Sequence, residues 1–353
     1  MHESLLTDAS LLIGLGRLDE ADRVLSEMLD HATAAGDEQL ASRALEGLGA
    51  VASERGQESQ ALHLYEQAIE RGGRPDPAER ESLYTHTARL RSFAGDAGGA
   101  VALIEECLGR VSSAPDADPA VNAHYSITLS YAYADAGQYG RANSVLAGVL
   151  RDGEDLDLQV RRRLYYALTR LNMNIGRTEQ AIEYSEKNLE TAIASDSLVF
   201  FVYLQCAHVR LDANHTERAG DYLAEARRRA PDPLGSVDAG FLLVEEARFS
   251  LQQGDHDTAL SRASAAVELL ADDPSGPGQS GLAHLVIARV HDDRGEADAA
   301  DREYRLAIDS LERQTGWPTD LAKAYRRYGK FLRRRGQLDE AMRMLELASD
   351  TAV

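Results

Sequence analysis

Ten side chains in this sequence have the types and spacing to grip an acidic ligand: Arg89, Tyr131, Arg163, Tyr166, Arg170, Phe201, His208, Phe241, Arg248 and Arg289. Arginine offers forked donors that match a carboxylate, and aromatic rings offer broad contact area at small cost in side-chain entropy. That is the chemistry of recognition, not of bond-making. Residues that could do catalysis or hold a metal are sparse. His284 and His291 lie seven apart, beside Asp292 and Asp293. On a helix that is two turns, ~10.5 Å, too far for one ion, so the pair reads as packed or solvated. Cys107 and Cys206 have no CxxC partner and read as core thiols. The run Gly254-Asp255-His256-Asp257 reads as a turn whose acids serve the next helix start. There is no GxGxxG, Walker loop, HExxH or GxSxG. No enzyme activity, cofactor or metal is expected.

The elements that would position the ten residues come from a repeat. A small turn residue recurs at Gly16, Gly56, Gly95, Gly137, Gly176, Asn214, Gly254, Gly295 and Gly336, at spacings of 40, 39, 42, 39, 38, 40, 41 and 41. The fifth residue after each is Ala: Ala21, Ala61, Ala100, Ala142, Ala181, Ala219, Ala259, Ala300 and Ala341. The ninth is bulky, as Leu25, Tyr65, Ile104, Leu146, Leu223, Tyr304 and Leu345, except at Ser185 and Ala263. Tyr184, beside the first exception, is placed to take over its packing. Glycine or asparagine takes positive φ to end one helix, alanine lets a second helix approach, and the bulky residue lies one turn further on the same face. The pattern predicts nine helix pairs, eighteen helices and no sheet, an all-α fold.

Proline supports that register. All nine prolines fall between units: Pro75, Pro77, Pro115, Pro119, Pro231, Pro233, Pro274, Pro277 and Pro318. A proline inside a helix costs ~3 kcal/mol, so long helices exclude it. The segment 272–278 is the most flexible expected connection, yet the spacing of 41 across it argues against a domain boundary. The reading is one array over 1–353, with units near 1–36, 37–75, 76–117, 118–156, 157–195, 196–234, 235–275, 276–316 and 317–353.

Leu45, Leu48, Gly49, Gly56, Ala61, Tyr65 and Ala68, and again Tyr325, Tyr328, Gly329, Gly336, Ala341, Leu345 and Ala348, follow in order the pattern of the tetratricopeptide repeat, which the chain resembles over nearly its whole length. Its period near 40 is longer than the commoner 34. It is similar to the long-helix variety in bacterial sensor modules of the MalT and Rap types and in helix-turn-helix-associated regulators. The resemblance implies a right-handed superhelical solenoid whose first helices line a concave groove. It also implies that groove residues fall at fixed offsets before each turn. The position six before reads Ser10, Ala50, Arg89, Tyr131, Arg170, His208, Arg248, Arg289 and Lys330. None is acidic, although acids outnumber bases 58 to 38. The rows thirteen and ten before supply Arg163, Phe201 and Phe241, and Tyr166. Such a groove suits an acidic peptide or partner protein. The alternative is an internal salt-bridge ladder in which Asp135, Asp212 and Asp293 neutralise the row.

Residues 318–336 hold Lys323, Arg326, Arg327, Lys330, Arg333, Arg334 and Arg335 against Asp320 alone. They read as a solvated face or as a docking patch for an acidic partner. The chain as a whole carries a net charge of −20, which argues against direct nucleic-acid or anionic-membrane binding. No apolar run reaches the ~18 residues that span a bilayer, and the start Met1-His2-Glu3-Ser4 lacks the basic segment of a signal peptide. A cytoplasmic location is expected. Apolar residues at both ends suggest self-association, or a repeat region within a longer protein. The functional expectation is a non-catalytic interaction scaffold or regulatory sensor. The alternative is the small-molecule-sensing effector domain of a bacterial transcription regulator whose DNA-binding domain is absent from this chain.

Overall fold

The computed structural model describes residues 2–152, 156–195, 199–271, 273, 276–313 and 318–351. Among them are eighteen helices and no strand. They gather into two compact units, Met1–Leu156 and Asp157–Val353. The first unit holds α1 (His2–Gly14), α2 (Leu18–Ala35), α3 (Glu38–Glu54), α4 (Glu58–Arg71), α5 (Glu81–Phe93), α6 (Ala97–Ser112), α7 (Pro119–Asp135) and α8 (Tyr139–Asp152). The second holds α9 (Leu158–Asn174), α10 (Thr178–Ser195), α11 (Val199–Asp212), α12 (Thr216–Arg228), α13 (Ser236–Gln252), α14 (His256–Leu270), α15 (Pro277–Asp293), α16 (Ala297–Glu312), α17 (Pro318–Arg334) and α18 (Leu338–Thr351). Within each unit, odd and even helices pair as hairpins and each pair packs on the next.

The repeat residues do what their chemistry requires. All nine turn residues, Asn214 included, have positive φ, between 59° and 87°. The chain then closes each helix with paired backbone bonds: Gly56 N–H donates to the Ser53 carbonyl at 3.0 Å and Gln57 N–H to the Ala52 carbonyl at 2.9 Å. The nine alanines are all buried. Glycine also permits close approach inside a pair: a Cβ on Gly49 would stand 2.8 Å from the Tyr65 ring. Ser185 is itself buried, its hydroxyl donating to the Ile182 carbonyl at 2.7 Å, with the Cys206 thiol against the Ser185 carbonyl. Tyr184 stacks at 6.2 Å on Tyr165.

Pro119, Pro277 and Pro318 open α7, α15 and α17, the one helical position where a missing N–H costs nothing. Pro274, with Asp272 and Ser275 of the expected flexible connection, lies outside the described residues. Asp255 caps α14, accepting from the Thr258 N–H at 3.1 Å. Leu11 and Leu15 at the first hairpin, and Leu338 and Met342 on α18, stay exposed.

Candidate ligand-binding face

In the first unit, Arg89 is exposed on α5, reaching Ser53 Oγ at 3.4 Å and lying 5.4 Å over the Phe93 ring. Tyr131 is half-buried on α7. The other eight candidates belong to the second unit. Arg163, Tyr166 and Arg170 share one face of α9 by their spacing of three and four. Arg163 is exposed, Tyr166 is 45% exposed and Arg170 is half-buried. Phe201 on α11 is 37% exposed, edge-on to Phe200 at 5.0 Å.

The structure brings His208, Phe241 and Arg248 together. The His208 and Phe241 rings lie 5.8 Å apart, and His208 Nδ1 lies 2.8 Å from Arg248 Nη1. Their partners are carboxylates. Glu245 on α13 has no exposed surface; one of its oxygens sits 2.8 Å from His208 Nδ1, and both accept from Arg248 Nη1 at 2.8 Å. Arg248 also donates from Nη2 to Asp212 at the end of α11. Lys323 of α17 reaches the same Asp212 at 2.6 Å and Asp320 at 3.3 Å. Nearby, Thr319 Oγ1 of α17 meets Asn174 Oδ1 of α9 at 3.2 Å. The Arg248–Asp212 pair is thus formed as the ladder alternative describes.

The electrostatics follow from this packing. Burial opposes the charge on Asp212, but Arg248, His208 and Lys323 overcome it and hold the carboxyl far below its ordinary range. Glu245 is lowered for the same reason, burial being outweighed by Arg248 and His208. Burial works against a charged His208, and Glu245 beside it works harder, so its pKa is raised.

Arg289 and Arg327 have no hydrogen bond or ion pair among the described residues, although both are half-buried. Burial lowers the pKa of each, and Arg327 falls to about 10 with Arg289 and Arg248 adding like-charge repulsion. The basic run of the last repeat therefore divides. Lys323 is paired inward, Arg334 meets Asp292, Arg335 meets Asp298 at 3.4 Å, and Arg326, Lys330 and Arg333 point to solvent. Sequence reasoning missed Glu245 as a buried group. Its only signal is the three-residue step to Arg248, which an exposed helix pair also shows.

No described group of residues is built to hold a metal ion. His284 takes Glu303 at 2.7 Å and His291 takes Glu296. Burial pushes the Cys107 and Cys206 thiols up to about 12, which keeps both protonated and unreactive at neutral pH. No described helix is long and apolar enough to cross a membrane.

No protein-family model and no curated protein sequence matches the chain. Solved structures do. A tetratricopeptide repeat protein from Parabacteroides merdae aligns with a TM-score of 0.55 at 15% identity, over 80% of this chain and 98% of that one. The fold is that of the tetratricopeptide repeat. The apo form of RapI shares the tetratricopeptide-repeat fold with a TM-score of 0.59 at 14% identity, over 76% of this chain and 97% of that one. So does NprR in complex with its cognate peptide NprX, with a TM-score of 0.56 at 12% identity, over 77% and 78%.

Proposed function

We propose that the chain is a non-catalytic interaction or sensor module whose second unit binds an acidic peptide, or an acidic segment of a partner protein. The observation that carries this reading is the surface left after folding. Tyr166 and Phe201 stay exposed although large apolar groups normally bury. Arg163 stands one turn from Tyr166, and Arg289 makes no ion pair among the described residues. Exposed aromatics beside free guanidinium groups are the composition of binding hot spots. NprR, which shares the fold, takes a peptide. Arg248 and His208 contribute by holding α11 against α13, because their charges are already matched by Glu245 and Asp212.

A peptide-display selection on the purified chain tests the reading. Selected peptides should be enriched in Asp and Glu. Their affinity should fall about tenfold or more in Tyr166→Ala/Phe201→Ala, whose thermal melt should stay near the parent's because both rings are exposed. Neutral or basic selected peptides, or affinity indifferent to these rings, would remove the proposal.

A further inference from the structure

We propose that Arg289 and Arg327 form a seat for a carboxylate, carried either by a small di- or tricarboxylic acid or by an acidic side chain of a bound peptide. The peptide arm rests on the function proposed above; the seat itself does not.

The placement comes from helix geometry. Arg248 of α13 and Lys323 of α17 converge on one carboxylate, Asp212. Arg327 follows Lys323 by four residues, one turn along the same face of α17. Arg289 occupies on α15 the repeat position that Arg248 holds on α13, six residues before the turn glycine. α15 touches α17. The two arginines therefore lie next to a place where this fold already clamps a carboxylate between two cations.

What sets them apart is the lack of a directly paired anion. His208, Arg248 and Lys323 each have a carboxylate partner. Arg289 and Arg327 have no hydrogen bond or ion pair among the described residues, and both are partly buried. A guanidinium partly withdrawn from water without a direct partner, in the field of another cation, is an unfavourable arrangement that folding tolerates only when other contacts outweigh it. Arg327 feels the like charges of Arg289 and Arg248, and Arg289 that of Arg248, while Asp293 and Asp292 favour the charge on Arg289 without forming an ion pair with it. A carboxylate entering between the two forks would satisfy both and cancel the repulsion. The forked geometry suits a planar carboxylate better than a point anion such as chloride. Because the anion removes a strain of the folded state, binding must also stabilise the second unit.

The test uses citrate, glutarate and hexaglutamate as probes, at constant ionic strength made up with sodium chloride, read by calorimetry and by thermal melting. The variants are Arg289→Gln, Arg327→Gln and the double. Citrate should raise the melting temperature of the parent at millimolar concentration, and each single variant should bind it about tenfold more weakly. In chloride alone Arg327→Gln should melt at or above the parent, since a repulsion is gone. Arg327→Lys keeps the charge and loses the fork, and should fall between. If citrate and hexaglutamate both bind through the pair, the seat and the acidic-peptide reading stand together. If citrate binds and hexaglutamate does not, the seat stands and the peptide reading fails. If hexaglutamate binds the double variant as tightly as the parent, the seat is overturned and the peptide reading survives. If no probe binds, or if all shift parent and double variant equally, the seat is overturned.

Discussion

Lys323 Nζ stands 2.6 Å from Asp212 Oδ2, across 111 residues of sequence. The bond joins α17 to α11 across the five helices, α12 to α16, that lie between them in the chain. Asp212 thereby becomes the counter-charge of two helices at once, because Arg248 of α13 donates to its other oxygen.

Removing that carboxylate should be costly. Asp212→Ala leaves Arg248 and Lys323 poorly compensated in a largely buried place, and breaking a buried pair this way typically costs ~3–5 kcal/mol. Lys323→Met should cost less, because Asp212 keeps Arg248. Urea denaturation followed by circular dichroism checks both; equal and small shifts of the midpoint would contradict the network.

His208 makes stability depend on pH. Burial opposes its charge, Glu245 favours it more strongly, Arg248 opposes and Asp212 favours, and the net result is a raised pKa. A raised folded value means that the stabilisation is complete below the unfolded value of about 6.5 and is lost as pH rises through the folded one. The lowered values of Asp212 and Glu245 act at the other end: their stabilisation is present above the ordinary carboxylate range of about 4 and is lost as pH falls. Stability of the second unit should therefore decline from about pH 6.5 upward. In His208→Gln that decline should flatten. A midpoint series whose slope is the same in both proteins would show that His208 is not its source.

Glycines on the two sides of the packing should respond oppositely. Gly49→Ala drives a Cβ to within 2.8 Å of the Tyr65 ring and should destabilise by ~1–3 kcal/mol. Gly148, inside α8, has only an Arg151 side-chain nitrogen at 3.9 Å. Gly148→Ala should stabilise by ~0.5–1 kcal/mol through helix propensity. Thermal melts of the two variants settle the signs.

Ala61 and Ala259 are fully buried at the helix-pair contact. Replacing either with Leu should force paired helices apart at ~1–3 kcal/mol. Parent-like melting of both variants would mean that these pairs tolerate a wider spacing than the packing implies.

The fold was legible because each repeat carries its own instructions within a few residues. Asn214 could be placed among eight glycines because positive φ is a local demand. The candidate face was legible only in part. The neutralisation of Arg248 by Asp212 follows from repeat arithmetic, since the pair spans 36 residues, about one repeat. The reach of Lys323 to Asp212 does not, because it depends on how far successive pairs rotate, an angle no single residue encodes. Arg327 read as one member of a solvated basic run for the same reason: its burial is set by a neighbouring helix.

The tie between Lys323 and Asp212, with Thr319 against Asn174, changes how the second unit should come apart. A repeat array with contacts only between neighbours can lose its end units one at a time, and it can begin folding anywhere. Here the terminal pair, α17 and α18, is fastened to helices that precede it by several repeats. Fraying from that end is suppressed, so the five pairs should melt closer to a single cooperative step. The same fastening adds non-local contacts that form only after a long stretch of chain has closed on itself, and this slows folding.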